Sequence, residues 1–321
     1  MITRRTLLQT SGALGAAALL PRTAFARTTD TVRLGWGRGG LPLIAKQRGE
    51  FEKSLAAKDI KVEWVGPFPN HAPSLQAVVG GSADFGFWGS TTPALAAILA
   101  GSPLVFVNFN IYKPRSTAII VKKDSGIDGV ADLKGKSIAV NRSGLGEFLL
   151  IAALEKHGLS RDDVTVVYLN PSDAAPAFGQ GKVDAWSMWT PAVDIAREQF
   201  DAKDIFFEGT DLDFLIDYSS LVTTRDFATE NADLVRATID AYHAEGAWIS
   251  QNVAEAETIA QGAGQYSDAV RDHLIGYNRQ NEFYEADDAA FLTEFQRAAD
   301  WLSDREILPG RINVADHVVR V

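Results

Sequence analysis

Apolar and polar positions along the chain switch repeatedly between a period of two and a period near 3.6. Val32-Arg33-Leu34-Gly35-Trp36 reads as a strand, and a helical pattern follows over residues 43–55. Residues 61–65 alternate again, 74–79 return to helical spacing and 83–87 read as a short strand. A proline-led helix over 93–99 and a strand over 104–107 complete the series. This β-α-β-α-β rhythm predicts a parallel sheet covered by helices. Residues 117–121 lead into a polar stretch, after which the rhythm restarts with strands at 137–140, 165–169 and 185–188. Helical patterns at 146–157 and near 173–178 lie between them, Gly158 ends the first of these, and Ser160-Arg161-Asp162-Asp163 resembles an N-cap. From about residue 228 the pattern is helical, through 231–250, 255–266 and 289–305. The expectation is α/β in class, two lobes, with the late helices packed back on the first.

The amino terminus bears on compartment. Residues 1–26 hold Arg4 and Arg5, a soft apolar run over 12–20, and Ala24-Phe25-Ala26 as a cleavage site. That run is too short to span a bilayer. Thr3-Arg4-Arg5-Thr6-Leu7-Leu8 points to the twin-arginine route, with an ordinary secretion signal as the alternative. The mature chain then starts at Arg27 and has 295 residues, enough for two domains. The signal takes three arginines and no acid with it, so the net charge falls from −10 to −13. An acidic chain of this kind is a poor partner for nucleic acid or anionic membrane. Cysteine is absent, which removes disulfides, thiolate metal sites, cysteine nucleophiles and a lipid-bearing cysteine after the signal. An exported, unanchored monomer of a two-membrane bacterium is the expectation.

Six strings then occur in a telling order. They are Val32–Trp36 as the strand start, Gly80-Gly81-Ser82-Ala83-Asp84-Phe85-Gly86-Phe87-Trp88-Gly89, and Ala131-Asp132-Leu133-Lys134-Gly135-Lys136. Asn141-Arg142-Ser143-Gly144, Gly181-Lys182-Val183-Asp184-Ala185-Trp186 and Trp189-Thr190-Pro191 follow. Together they resemble the aliphatic-sulfonate, taurine and nitrate family of ABC-transporter substrate-binding proteins. The resemblance implies a two-lobed periplasmic-binding-protein fold of type II, with a hinge of two crossover segments and the ligand in the interlobe cleft. It implies a first lobe of residues 27–120 plus 221–321, a second of 121–220, and a membrane permease as partner. Two positions depart from the family. Ser90 follows Gly89 where an acid is frequent, and Thr190 precedes Pro191 where an acid is common.

Candidate ligand contacts sit on loops at strand ends. Trp36-Gly37-Arg38-Gly39-Gly40 offers Trp36, backbone access at Gly39, and in Arg38 a bidentate partner for a sulfonate or carboxylate, or else a solvated surface arginine. Ser90 and Thr91 open a helix whose free N–H groups favour an anion, and either can be a simple cap. Ser143, Gly144 and Gly146 repeat the device on the second lobe. Glu147 there is either a dipole partner for its own helix or an acceptor for an ammonium group. Trp36, Trp88, Trp186 and Trp189 divide between cleft and core, Trp186 most readily core, and Thr190 stands beside Trp189. His71 is a possible cleft residue, cap or surface residue. No cofactor, metal or catalytic residue is expected. The alternative class is an exported nicotinamide oxidoreductase, because Gly35–Gly40 satisfies G-x-G-x-x-G and Glu63 ends the predicted second strand. A same-fold binder of a pyrimidine or aromatic acid is the other alternative. The cysteine-rich motif of the fold's pyrimidine-synthesising relatives has no counterpart here.

Overall fold

A computed structural model describes residues 30–321, so the signal segment lies outside the described residues. In the first lobe β1 (Thr31–Gly37), α1 (Gly40–Arg48), α2 (Glu50–Ala56), β2 (Lys61–Phe68) and α3 (His71–Val79) come first. The short β3 (Gly89–Ser90), α4 (Thr91–Leu99) and the long β4 (Leu104–Lys113) follow. The chain then builds β5 (Ala118–Lys122), β6 (Ser137–Val140), α5 (Leu145–Lys156), β7 (Thr165–Tyr168) and α6 (Pro171–Gly179). β8 (Ala185–Met188), α7 (Ala192–Gln199) and β9 (Ala202–Phe207) complete the second lobe. It returns through α8 (Glu208–Asp211) and β10 (Ser219–Thr224) to α9 (Arg225–Glu230) and α10 (Ala232–Gln251). Last come α11 (Val253–Gly264), α12 (Asp268–Gly276), β11 (Gln280–Glu285) and α13 (Ala289–Asp304).

The sheets are mixed rather than parallel throughout. β1 and β2 pair in parallel, as do β6–β7 and β6–β8, where helices make the crossovers. The strands at the crossings run antiparallel: β4 pairs with β10 and β11, and β5 with β8 and β9. The first lobe thus holds β11-β4-β10-β3 beside β1-β2, and the second holds β7-β6-β8-β5-β9. Three strands escape the local pattern. β9 and β10, six residues each, fall outside the strands that alternation marks, and β11 sits in a stretch that reads as helical, with every residue only half-buried. Residues 83–87 make a single bridge, Leu34 to Phe85, instead of a strand.

Packing follows the periodicities. α13 puts Phe291, Phe295, Ala298, Ala299 and Leu302 on one buried face against Phe106 and Phe109 of β4. Phe148 and Ala152 of α5 join this same apolar cluster, so the second lobe rests on the first through one helix. Arg305 adds a two-pronged pair to Glu155, at 2.8 and 2.7 Å. A second contact lies between α7 and α12. There Asp194 and Arg197 are 2.7 Å apart, and Tyr277 and His273 both bond to that pair. Among the described residues no helix is long and apolar enough to cross a membrane.

Candidate functional site

The end of β4 and the start of α1 meet in a small, partly open cavity of about 80 Å³. Leu41, Ile44 and Ile249 with the Trp88 and Tyr112 rings make most of the wall apolar, and Asn110, Ser219 and Asn281 add polar groups beside Gly40. No charged side chain lines it. α1 opens with Gly39 as N-cap, with no side-chain cap and no acid in its first turn, so its leading N–H groups have no local carboxylate. Trp88 is 7% exposed, held edge-on by Tyr242 and Phe283, and its buried Nε1 has no partner among the described residues. A buried donor without an acceptor is costly unless something else supplies one. A larger, open groove of about 750 Å³ along α13 shares no residue with this cavity and holds no orphaned buried polar atom.

The start of α4 is different. Thr91 donates to Asp217 Oδ1 through both its N–H, at 2.9 Å, and its hydroxyl, at 2.6 Å, and Thr92 adds a longer contact of 3.4 Å. Ser90 is the N-cap, accepting from the Thr92 N–H at 3.3 Å. An internal carboxylate therefore occupies the seat that an external anion would need. The helix start is filled because Asp217 arrives from the returning crossing. Arg115 on the outgoing crossing donates to the Asp217 carbonyl at 2.8 Å and pairs with buried Glu208 at 3.1 Å. The two crossings are thus tied to each other.

His71 opens α3 beneath this loop and is buried, with Nδ1 2.7 Å from the Ser90 carbonyl. That contact requires the proton on Nδ1, and Nε2 is left without a partner. Burial pushes the imidazole down to about 4. The unfolded chain keeps an ordinary histidine, so it takes up the proton first as pH falls. Stability is therefore expected to drop as pH falls from about 6.5 towards 4, by about 3 kcal/mol from this group. Thermal melts at pH 7 and pH 4 should show a steeper loss for the wild type than for His71→Asn, and equal losses would refute the assignment.

On the second lobe, Ser143 adopts the left-handed conformation, φ 52°, and gives its N–H to Glu147 Oε2 at 2.6 Å. Glu147 also accepts from the Tyr168 hydroxyl at 2.5 Å and pairs with Arg161 at 3.2 Å. The Arg142 guanidinium lies 3.6 Å over the Tyr168 ring. Glu147 thus ties down its own helix start, through the Ser143 N–H on one oxygen and Tyr168 and Arg161 on the other. Gly146 also has a packing role: a Cβ there would lie 2.2 Å from the Ser187 carbonyl oxygen of β8. Gly144 faces Asn141 instead.

Trp36 does not enter the cavity. It is half-buried at the register irregularity near the end of β1, beside Gly66, and Lys46 sits 5.2 Å above its ring. Arg38 is exposed at the tip of the same turn, beside Gly39, and has no ion pair among the described residues. Trp189 is half-buried, and Thr190 donates to the Ser116 carbonyl at 3.2 Å at the crossing. Trp186 packs in the second-lobe core, 1% exposed. Pattern reading missed Asn110, Asn281 and Arg279. Arg279 stacks on Tyr112 at 4.3 Å, pairs with Glu257 at 3.0 Å and reaches Ser116 Oγ at 3.2 Å. It links the cavity wall to the outgoing crossing.

The dinucleotide alternative fails on geometry. β2 runs on to Phe68, so Glu63 lies near its beginning, opposite Arg33, and not at the strand end where a ribose would sit. Gly35 is explained by packing, since a Cβ there would meet the Phe87 nitrogen at 2.7 Å.

Two α/β lobes joined by two tied crossings, with a small, mainly apolar pocket that holds a few polar groups beside them, define a solute-binding protein of the two-lobed periplasmic type. A twin-arginine signal model matches residues 1–21, and the chain is exported to the periplasm. It belongs to the family described as NMT1/THI5 like, whose model matches residues 42–256. A Bacillus subtilis (strain 168) protein named "Putative aliphatic sulfonates-binding protein" is 30% identical over 288 residues, covering 89% of this chain and 85% of that one. The periplasmic aliphatic sulphonate binding protein SsuA from Escherichia coli superposes with a TM-score of 0.80 at 26% identity, over 91% of this chain and 92% of that one. The alkanesulfonate-binding protein SsuA from Xanthomonas axonopodis pv. citri, bound to MOPS, gives 0.80 at 27%, over 91% and 99%. These relatives are binding proteins. Nothing among these comparisons supports the oxidoreductase.

Proposed function

We propose that this protein captures a small organic anion or zwitterion, of sulfonate or taurine type, and hands it to the permease of an ABC importer. The observation that carries this reading is the uncapped start of α1 opening on a cavity where the Trp88 indole N–H has no partner. Free N–H groups at a helix start and a neutral indole donor suit a singly charged oxyanion. The relatives' names and the MOPS held by one of them favour the same ligand class. In this reading the anionic group enters the cavity. Ser143, Gly144, Trp189 and Thr190 close from the second lobe, and Ser90 and Gly39 border the mouth. Arg38, being exposed, steers the ligand rather than holding it. The moving bodies are the lobe built on β1-β2 and β11-β4-β10-β3 and the lobe built on β7-β6-β8-β5-β9, so the crossings lie just before Ala118 and just before Ser219, a little ahead of the expected bounds at 120 and 220. The protein works as a monomer, takes no nucleic acid and returns its ligand unchanged.

The test is a tryptophan-fluorescence titration of the mature protein with MOPS, taurine, alkyl sulfonates, nitrate, benzoate and a neutral pyrimidine, with solution scattering at saturation. A sulfonate should bind and the radius of gyration should fall. Arg38→Ala should weaken binding only a few-fold, with most of the change in the on-rate and its salt dependence. Binding of the pyrimidine alone, or saturation without compaction, would overturn the proposal.

A further inference from the structure

The amides around the cavity have a fixed direction. Gly246 in α10 can offer Asn281 only a carbonyl, and Asn281 Nδ2 donates to it at 3.3 Å. That leaves Asn281 Oδ1 as acceptor, and Asn110 Nδ2 donates to it at 2.8 Å. Asn281 is anchored further by its own N–H, which donates to Ser250 Oγ at 2.9 Å. Both amide orientations follow from this chain, since flipping either would set two donors or two acceptors against each other. Asn110 is 4% exposed, and its Oδ1 is buried without a partner. Its other polar atom is spent on Asn281, so the side chain brings to the cavity wall an acceptor that none of the described residues satisfies.

An ionised sulfonate has acceptor oxygens only. At the start of α1 it would satisfy the Trp88 indole and leave Asn110 Oδ1 unpaired, or set two acceptors in contact. Building on the binding role proposed above, we infer that Asn110 is a specificity residue. It selects an organic oxyanion that brings an N–H or O–H donor of its own into the cavity. The donor is either an ammonium or hydroxyl group on a neighbouring carbon, or a proton retained on the anionic group itself, as in a hydrogen phosphonate. A lone acceptor of this kind discriminates because the analogue without the donor leaves a buried polar group unpaired.

Four compounds of one chain length separate these cases: ethanesulfonate, with no donor, isethionate, with a hydroxyl, taurine, with an ammonium, and ethylphosphonate, with a donor on the anion. In the wild type at least one donor-bearing compound should bind about 10- to 100-fold more tightly than ethanesulfonate. An advantage for taurine or isethionate places the donor on the neighbouring carbon, and one for ethylphosphonate places it on the anion. In Asn110→Leu the ratio should collapse towards one. The wild-type comparison stands even where that variant fails to fold. Ethanesulfonate binding as tightly as the best donor-bearing compound would overturn the inference and leave the sulfonate reading intact. A folded Asn110→Leu that keeps the ratio would overturn it as well. Failure of all four to bind would overturn this inference, and failure of MOPS as well would overturn the sulfonate reading.

Discussion

Gly146→Ala is expected to lower the stability of the second lobe by about 3 kcal/mol or more. A Cβ at this position would stand 2.2 Å from the Ser187 carbonyl oxygen and 2.9 Å from its carbon, and both are backbone atoms of β8. β8 lies in the middle of the five-stranded sheet and cannot retreat, so α5 must move. The shift would also strain the bond from Ser187 Oγ to the Gly146 carbonyl, now 2.6 Å. Because α5 carries Phe148 and Ala152 into the first lobe's core, the contact between lobes should loosen with it. Thermal unfolding of the mature protein should show a midpoint roughly 6–12 °C lower. Gly262→Ala is the control, since nothing lies within 4 Å of a Cβ there and the change should be neutral or mildly stabilising. A wild-type midpoint for Gly146→Ala would contradict the packing role.

Asp217→Ala is expected to cost about 3 kcal/mol, through the start of α4. The carboxylate is 3% exposed and accepts from the Thr91 N–H, the Thr91 hydroxyl and the Thr92 N–H. Its removal strands the buried Thr91 hydroxyl and takes a negative charge from a positive helix end, while the Thr91 N–H keeps the Tyr218 carbonyl at 3.0 Å and the Thr92 N–H keeps Ser90 Oγ. Asp217→Asn should cost less, because one acceptor oxygen stays. The emptied seat gives a second readout: sulfate should raise the melting midpoint of Asp217→Ala more than that of the wild type. Equal responses to sulfate would mean that Asp217 is not holding the place of an anion.

Much of the architecture was legible from local pattern. β6 and β8 fall where alternation places them, and α5, α6 and α13 start and stop within about two residues of their hydrophobic periods. β11 was not legible, because its Gln280-Asn281-Glu282 half is polar, and pairing with the buried β4 makes it a strand. Antiparallel pairing at the crossings escaped for a related reason. A crossing strand's partner lies in distant sequence, and alternation does not encode strand direction.

The sequence alone determined the export signal, the two-lobe rhythm and the glycine and tryptophan positions at strand ends, because each is a short-range property of neighbouring residues. Tertiary structure decided which helix start is open. Three starts look alike on paper. α5 is bridled by its own Glu147, α4 is filled by Asp217, which lies 126 residues beyond Thr91, and α1 alone of the three opens on the cavity. The polarity of that cavity was equally hidden. It depends on Gly246, Asn281 and Asn110 meeting across α10, β11 and β4, and a hydrogen-bond direction passed between distant segments leaves no period in a sequence.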